Sequence, residues 1–158
     1  MAIAEPTTYL ELLRTGKIVG VGLQAPRSFV RERLGEPDQW GIESDVSSAA
    51  IWKYGVVELH FQDHRVFLLH CEHFGGMARH PRVPLGPWKL RDNSRIEEVE
   101  RLLEAEGLPF VRERLQGNVS VLKLDNDVRL YFEPSPRETL GALSVMRVSP
   151  APGAHDRR

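Results

Sequence analysis

The sequence predicts an α+β fold built from two tandem units, each a helical segment followed by a three- to four-stranded antiparallel sheet. Three observations predict it. The spacing of apolar residues changes from helical to alternating twice along the chain. Each change follows the same punctuation, Gly35-x-Pro37 and then Gly107-x-Pro109. A stretch rich in proline and glycine separates the two halves. The expected boundaries are 1–74 for the first unit, 75–92 for a basic linker, 93–148 for the second unit and 149–158 for a disordered tail.

In the first unit, Thr8-x-x-Glu11 fits a capping box, in which hydroxyl and carboxylate satisfy free backbone N–H groups. Tyr9, Leu10, Leu12 and Leu13 give an apolar stripe that Gly16 stops, and Gly20-x-Gly22 reads as a turn. Pro26 suits a first helical turn, Phe29, Val30 and Leu34 follow at helical spacing, and Gly35 closes the helix. Residues 36–49 are polar and read as loop. Three strands are expected between about 50 and 73: Ile51–Tyr54, Val57–Phe61 with apolar residues at alternate positions, and the apolar run Val66–Cys71.

The linker holds Gly75, Gly76, Pro81, Pro84, Gly86 and Pro87, which break regular elements, with a short extended piece expected at Trp88–Leu90. Ser94-x-x-Glu97 reads as a second capping box ahead of a helix with Ile96, Val99, Leu102 and Leu103 on one face. Its glutamates are expected to pair with Arg95 and Arg101 on the wet face. Gly107 ends it. Strands are expected at Phe110–Leu115, Val119–Leu124, Val128–Phe132 and Leu140–Val148, with a turn at Asp125-Asn126-Asp127.

The two halves match in order: helix, Gly-x-Pro, a strand carrying Lys53 or Lys123, a strand ending in Phe61 or Phe132, then a last apolar strand. Such an ordered run points to a structural repeat.

Leu34-Gly35-Glu36-Pro37-x-x-Trp40 followed by Ile51-Trp52-Lys53-Tyr54-Gly55-x-x-Glu58-Leu59-x-Phe61 resembles a pattern, LGxPxxW and then WKYGxxExxF, of a group of uncharacterised bacterial proteins. More loosely, the helix–helix–LGxP–three-strand order is similar to the small lipoproteins of the outer-membrane barrel-assembly machinery. The tandem copy is similar to the β-lactamase inhibitory protein. These resemblances imply the fold and a mode of action, the binding of other proteins. The chain departs from those relatives in lacking an export signal, a lipid-attachment cysteine and disulfides.

Composition narrows the function classes. The chain has 158 residues, 41% hydrophobic and 27% charged, with 21 Lys plus Arg against 22 Asp plus Glu. A net charge of −1 argues against a general nucleic-acid binder, which needs many phosphate contacts. Cys71 is the single cysteine, which fits a reducing compartment. Met1–Pro6 has neither a basic nor an apolar leader pattern, and no stretch reaches the length of a membrane span, so a cytoplasmic location is expected.

His60, His64, His70, His73 and His80 lie close together in the chain with Cys71 among them. In a hairpin centred on Asp63-His64, His60 and His70 fall on opposite faces, whereas His60 and Cys71 share one and His73 joins them after a bulge. That makes His60, Cys71 and His73 the candidate metal ligands, against a reading as ordinary strand and loop residues. His70 and Cys71 point to opposite faces as strand neighbours, so the histidine does not activate the thiol. Glu58 and His60, two apart on one strand, could do acid–base work or simply be solvated. No cofactor is called for.

Arg79, Arg82, Lys89 and Arg91 with Trp88 make the linker basic, a surface for an acidic protein partner, or a connector whose tryptophan packs on the core. Trp52 and Tyr54 share a strand face and form an interaction patch if no helix covers them. The favoured expectation is a non-catalytic protein-binding module of immunity-like or inhibitor-like type, with Trp52, Tyr54, Arg79, Arg82, Trp88 and Lys89 as contacts to an unknown partner. The alternatives are a metal-binding protein or hydrolase using the His/Cys cluster, and a structural homo-oligomer joined through strand edges.

Overall fold

Leu12 and Leu13 are fully buried, as the apolar stripe requires, and they fix the first helix, α1 (Tyr9–Thr15), against the core. The computed structural model describes residues 9–41, 45–74, 88–134, 136 and 138–147. Thr8, and with it the first capping box, lies outside them. Gly16 stops α1 at φ +68, with its N–H on the Leu12 carbonyl at 2.8 Å. The second helix, α2 (Arg27–Leu34), follows Pro26, which sits one residue before the helix in extended conformation.

The strands of the first half are β1 (Gln39–Trp40), β2 (Ile51–Tyr54), β3 (Val57–Gln62) and β4 (Arg65–Cys71). The third helix, α3 (Ile96–Ala105), leads to β5 (Phe110–Arg114), β6 (Ser120–Leu124), β7 (Val128–Phe132) and β8 (Leu140–Val145). The strand β1 lies in the segment read as loop. It is only two residues long and exposed, and so leaves no alternating pattern. The second capping box does not form: Arg95 is the cap residue without a side-chain bond, and the Ser94 hydroxyl accepts from the Arg91 N–H at 2.9 Å. Gly107 does end α3. Its N–H reaches Glu104 O and that of Leu108 reaches Leu103 O, which closes the last turn. Glu100 of α3 pairs across elements rather than along the helix, with Arg112 at 3.3 Å, and Glu106, just past the helix, pairs with Arg14 at 3.0 Å.

Two separate sheets are expected, but the strands form one. It is antiparallel, eight strands wide, in the order β1-β2-β3-β4-β8-β7-β6-β5. The halves join where β4 pairs with β8 through Leu69–Val145, His70–Ser144 and Cys71–Leu143. These are the last strands of each half, and pairing them removes two apolar edges that would otherwise face water.

Register separates the faces. The row Tyr54–Val57–Cys71–Leu143–Leu130–Leu122 crosses six strands, and every member is buried. The helices lie on this side. Arg27 and Arg31 of α2 stand over the Trp52 ring at 5.2 and 5.0 Å. Tyr54 donates to Gly35 O at the end of α2, and the Tyr9 hydroxyl of α1 donates to His73 O. No helix among the described residues is long and apolar enough to cross a membrane.

Candidate functional site

The neighbouring row lies on the opposite face. From edge to edge it reads Gln39–Lys53–Glu58–His70–Ser144–Arg129–Lys123–Val111, one residue per strand. The polar residues of β2, β3 and β4 are tolerated here because they keep access to water. Exposure is uneven. Ser144 and Arg129 are buried, as is Val121 beside them, whereas Lys53, Glu58, His60 and His70 are half-exposed. The accessible part of this face is therefore the surface of β2, β3 and β4.

A bulge between His60 and Phe61 arranges it. The extra residue shifts the pairing by one position, so His60 lies opposite Leu68 and Glu58 opposite His70. His60 and His70 consequently share a face, contrary to the parity expected from the sequence. His60 Nε2 is 4.0 Å from Glu58 Oε2, and His70 Nε2 is 3.1 Å from Glu72 Oε1. The His60 ring meets Phe67 edge to face at 6.2 Å. Burial pushes the His60 imidazole below its ordinary range, and the Glu58 carboxylate only partly offsets it. The hydrogen bond from His70 holds Glu72 below the usual carboxylate range. Lys53, Gly55, Val56, Glu58, Glu72 and His73 line a shallow cleft of about 270 Å³ at one end of this surface.

Cys71 is on the other face. It pairs with Val57 and Leu143 and is fully buried, and burial pushes its thiol up to about 12. The expected set of His60, Cys71 and His73 does not converge, because the bulge puts His60 outside while Cys71 stays within the core. No group of three His, Cys, Asp or Glu side chains among the described residues is placed to hold a metal ion. His70 lies between Glu72 and Ser144, an order suggestive of nucleophile activation. But Ser144 is buried, and its hydroxyl donates to the Tyr131 oxygen at 3.2 Å, so the serine is not presented to the imidazole. The face supplies acids and bases, and Ser144, the hydroxyl next to them in the row, is withdrawn from the surface.

Trp52 and Tyr54 do share a strand face, but it is the helix-covered one. At 0% and 1% exposure they are core residues and not a surface patch. The Trp52 indole N–H is spent on Val46 O at 2.7 Å. Trp88 packs on the core and Lys89 is exposed, with no strand at Trp88–Leu90. Arg79 and Arg82 lie outside the described residues. Glu58, His70 and Glu72 are the surface residues that sequence reasoning passed over as a group. The signal was their alternation, Glu58-x-His60 on β3 and His70-x-Glu72 across the end of β4.

No family model, no curated protein and no solved structure matches this chain.

Proposed function

We propose that the protein is a non-catalytic protein-binding module made of two tandem units, and that it binds through the helix-free face of β2–β4. The observation that carries this reading is the one-sided sheet: helices bury the Tyr54–Leu122 row, while the adjacent row bearing Lys53, Glu58 and His70 keeps its polar groups half-exposed. Mixed charge with a few apolar neighbours, Ile51 and Leu68, suits a polar protein surface better than a small-molecule cavity.

The tandem reading has its own support. Pro26 and Arg95, each just before a helix, bridge to Arg65 and Thr139 at the starts of β4 and β8. Arg27 N–H bonds His64 O at 3.1 Å, and Ile96 N–H bonds Glu138 O at the same distance. The register shift between β3 and β4 falls before Phe61, with Phe67 of β4 the extra residue, and that between β7 and β8 falls before Phe132, with Gly141 of β8 the extra residue. Gly35 and Gly107 both take positive φ, and Lys53 and Lys123 occupy one row of the sheet. The resemblance to tandem inhibitory proteins points the same way as to fold and mode of action.

The test is site-specific photo-crosslinking in the native cell. A crosslinker at Lys53 or His70 is expected to trap one discrete protein, and one at Glu97 on α3 is not. Glu58→Lys should abolish the adduct. Equal labelling at all three positions, or none at Lys53 and His70, would sink the proposal.

A further inference from the structure

Among the described residues the longest open strand edge is β5, and we infer that two copies of the protein pair there, β5 against β5, to form one continuous sheet. This surface is distinct from the β2–β4 face, so either reading can fail alone. The strand β5 is the terminal strand of the sheet, and four of its five residues are exposed. Val111 is 60% exposed and Leu115, just beyond the strand, 46%. The opposite edge, β1, is two residues long and too short to template pairing.

Which backbone groups β5 leaves free follows from one hydrogen bond. Leu115 N–H bonds Val119 O at 2.7 Å, in the same register as the β5–β6 ladder. Bonded and non-bonded pairs alternate in an antiparallel ladder. Glu113 and Val111 therefore also bond inward to β6, and Phe110, Arg112 and Arg114 turn their N–H and C=O groups outward. Two of the usual defences of an edge are missing along this stretch, since β5 has no proline within it and pairs with β6 without a bulge; its remaining defence is the charge of Arg112, Glu113 and Arg114.

A two-fold axis through Arg112 pairs all five residues of the strand. Arg112 meets its own copy, and Phe110 meets Arg114 of the second copy, giving three bonded pairs that each exchange two hydrogen bonds. On the other face Val111 lies beside Glu113 of the second copy. The two arginines at the axis are tolerated because each is already neutralised within its own chain, by Glu100 at 3.3 Å and Glu138 at 3.1 Å. Pairing β5 with itself is isologous and closes as a dimer, which among the described strands leaves the short β1 edges outside.

Sedimentation of the purified full chain tests this. The wild type is expected to be a dimer that dissociates on dilution. Arg112→Pro removes an outward N–H and no β5–β6 bond, so it should give a monomer with an unchanged circular-dichroism spectrum. Val111→Glu keeps a favourable neighbour in Lys123 of its own chain but meets Glu113 of the second copy, so it too should be monomeric. It decides the matter if the proline variant fails to fold. Arg112→Cys should form an intermolecular disulfide, since residues facing in a bonded pair sit about 5.5 Å apart, and Leu115→Cys should not. A monomeric wild type, as expected if the edge serves a foreign peptide instead, overturns the inference. So does a dimer that survives both Arg112→Pro and Val111→Glu.

Discussion

Glu58 faces His70 across β3 and β4, and the bulge between His60 and Phe61 is what puts them opposite each other. Without the extra residue His70 would turn into the core. With it, Glu58, His60 and His70 share one surface and Cys71 takes the buried position.

This arrangement predicts a particular acid sensitivity. His60 has a folded pKa below its ordinary 6.5, chiefly because burial disfavours the charged ring. Below 6.5 the unfolded chain takes up a proton that the folded chain resists, so stability present above that pH is lost as pH falls through the folded value. Glu72, also depressed, acts in the same direction at lower pH. Urea unfolding at pH 7.5 and pH 5.5 should show wild type losing more stability than His60→Gln. Equal losses would mean that His60 is not the group responsible.

Cys71 makes the opposite prediction at high pH. Its folded thiol is raised from 9.0 to about 12 by burial. Between these values the unfolded chain ionises and the folded chain does not, so stability falls as pH rises above 9. The native thiol should resist alkylation at pH 8 and react only after denaturant is added. Rapid labelling of the folded protein would contradict the inward orientation. Cys71→Ser, which leaves a hydroxyl in an apolar site, should cost about 1–3 kcal/mol in chemical denaturation.

Much of the fold was legible because its signals are local. Val57, Leu59 and Phe61 alternate, and Val66–Cys71 is apolar, so these strands declare themselves. That β4 pairs with β8 was not legible: it joins residues such as His70 and Ser144 far apart in the chain, and no local pattern names a strand's partner. The site was half legible. The histidines stood out, but their faces depend on a bulge that adds one residue to the count and leaves no mark in composition. Trp52 and Tyr54 were correctly placed on one face. Alternation alone does not say which face the helices cover.

The burial of those two aromatics gives a stability prediction. Trp52→Ala should cost about 3–5 kcal/mol, as expected for removing a fully buried aromatic. Tyr54→Phe should cost only about 0.5–1.5 kcal/mol, the net worth of one hydrogen bond, here the one to Gly35 O. Because neither reaches the surface, Tyr54→Phe should leave the crosslinked adduct at His70 unchanged. Loss of the adduct in a folded Tyr54→Phe protein would place the tyrosine in the interface after all.

Two glycines separate backbone strain from crowding. Gly107 and Gly16 have nearly the same φ, +69 and +68. A Cβ on Gly107 would meet nothing within 4 Å, whereas one on Gly16 would lie 3.3 Å from Asn126 O and 3.4 Å from Val145 Cγ1. Gly107→Ala therefore pays only the left-handed conformation, about 1–2 kcal/mol. Gly16→Ala carries the same strain and must also push on the β6–β7 turn, whose Asn126 amide holds Leu13 O at 2.8 Å. Thermal or urea unfolding should rank Gly16→Ala below Gly107→Ala in stability. The reverse order would mean that α1 is not seated against the Asn126 turn as described, since crowding at Gly16 depends on that contact and strain at Gly107 does not.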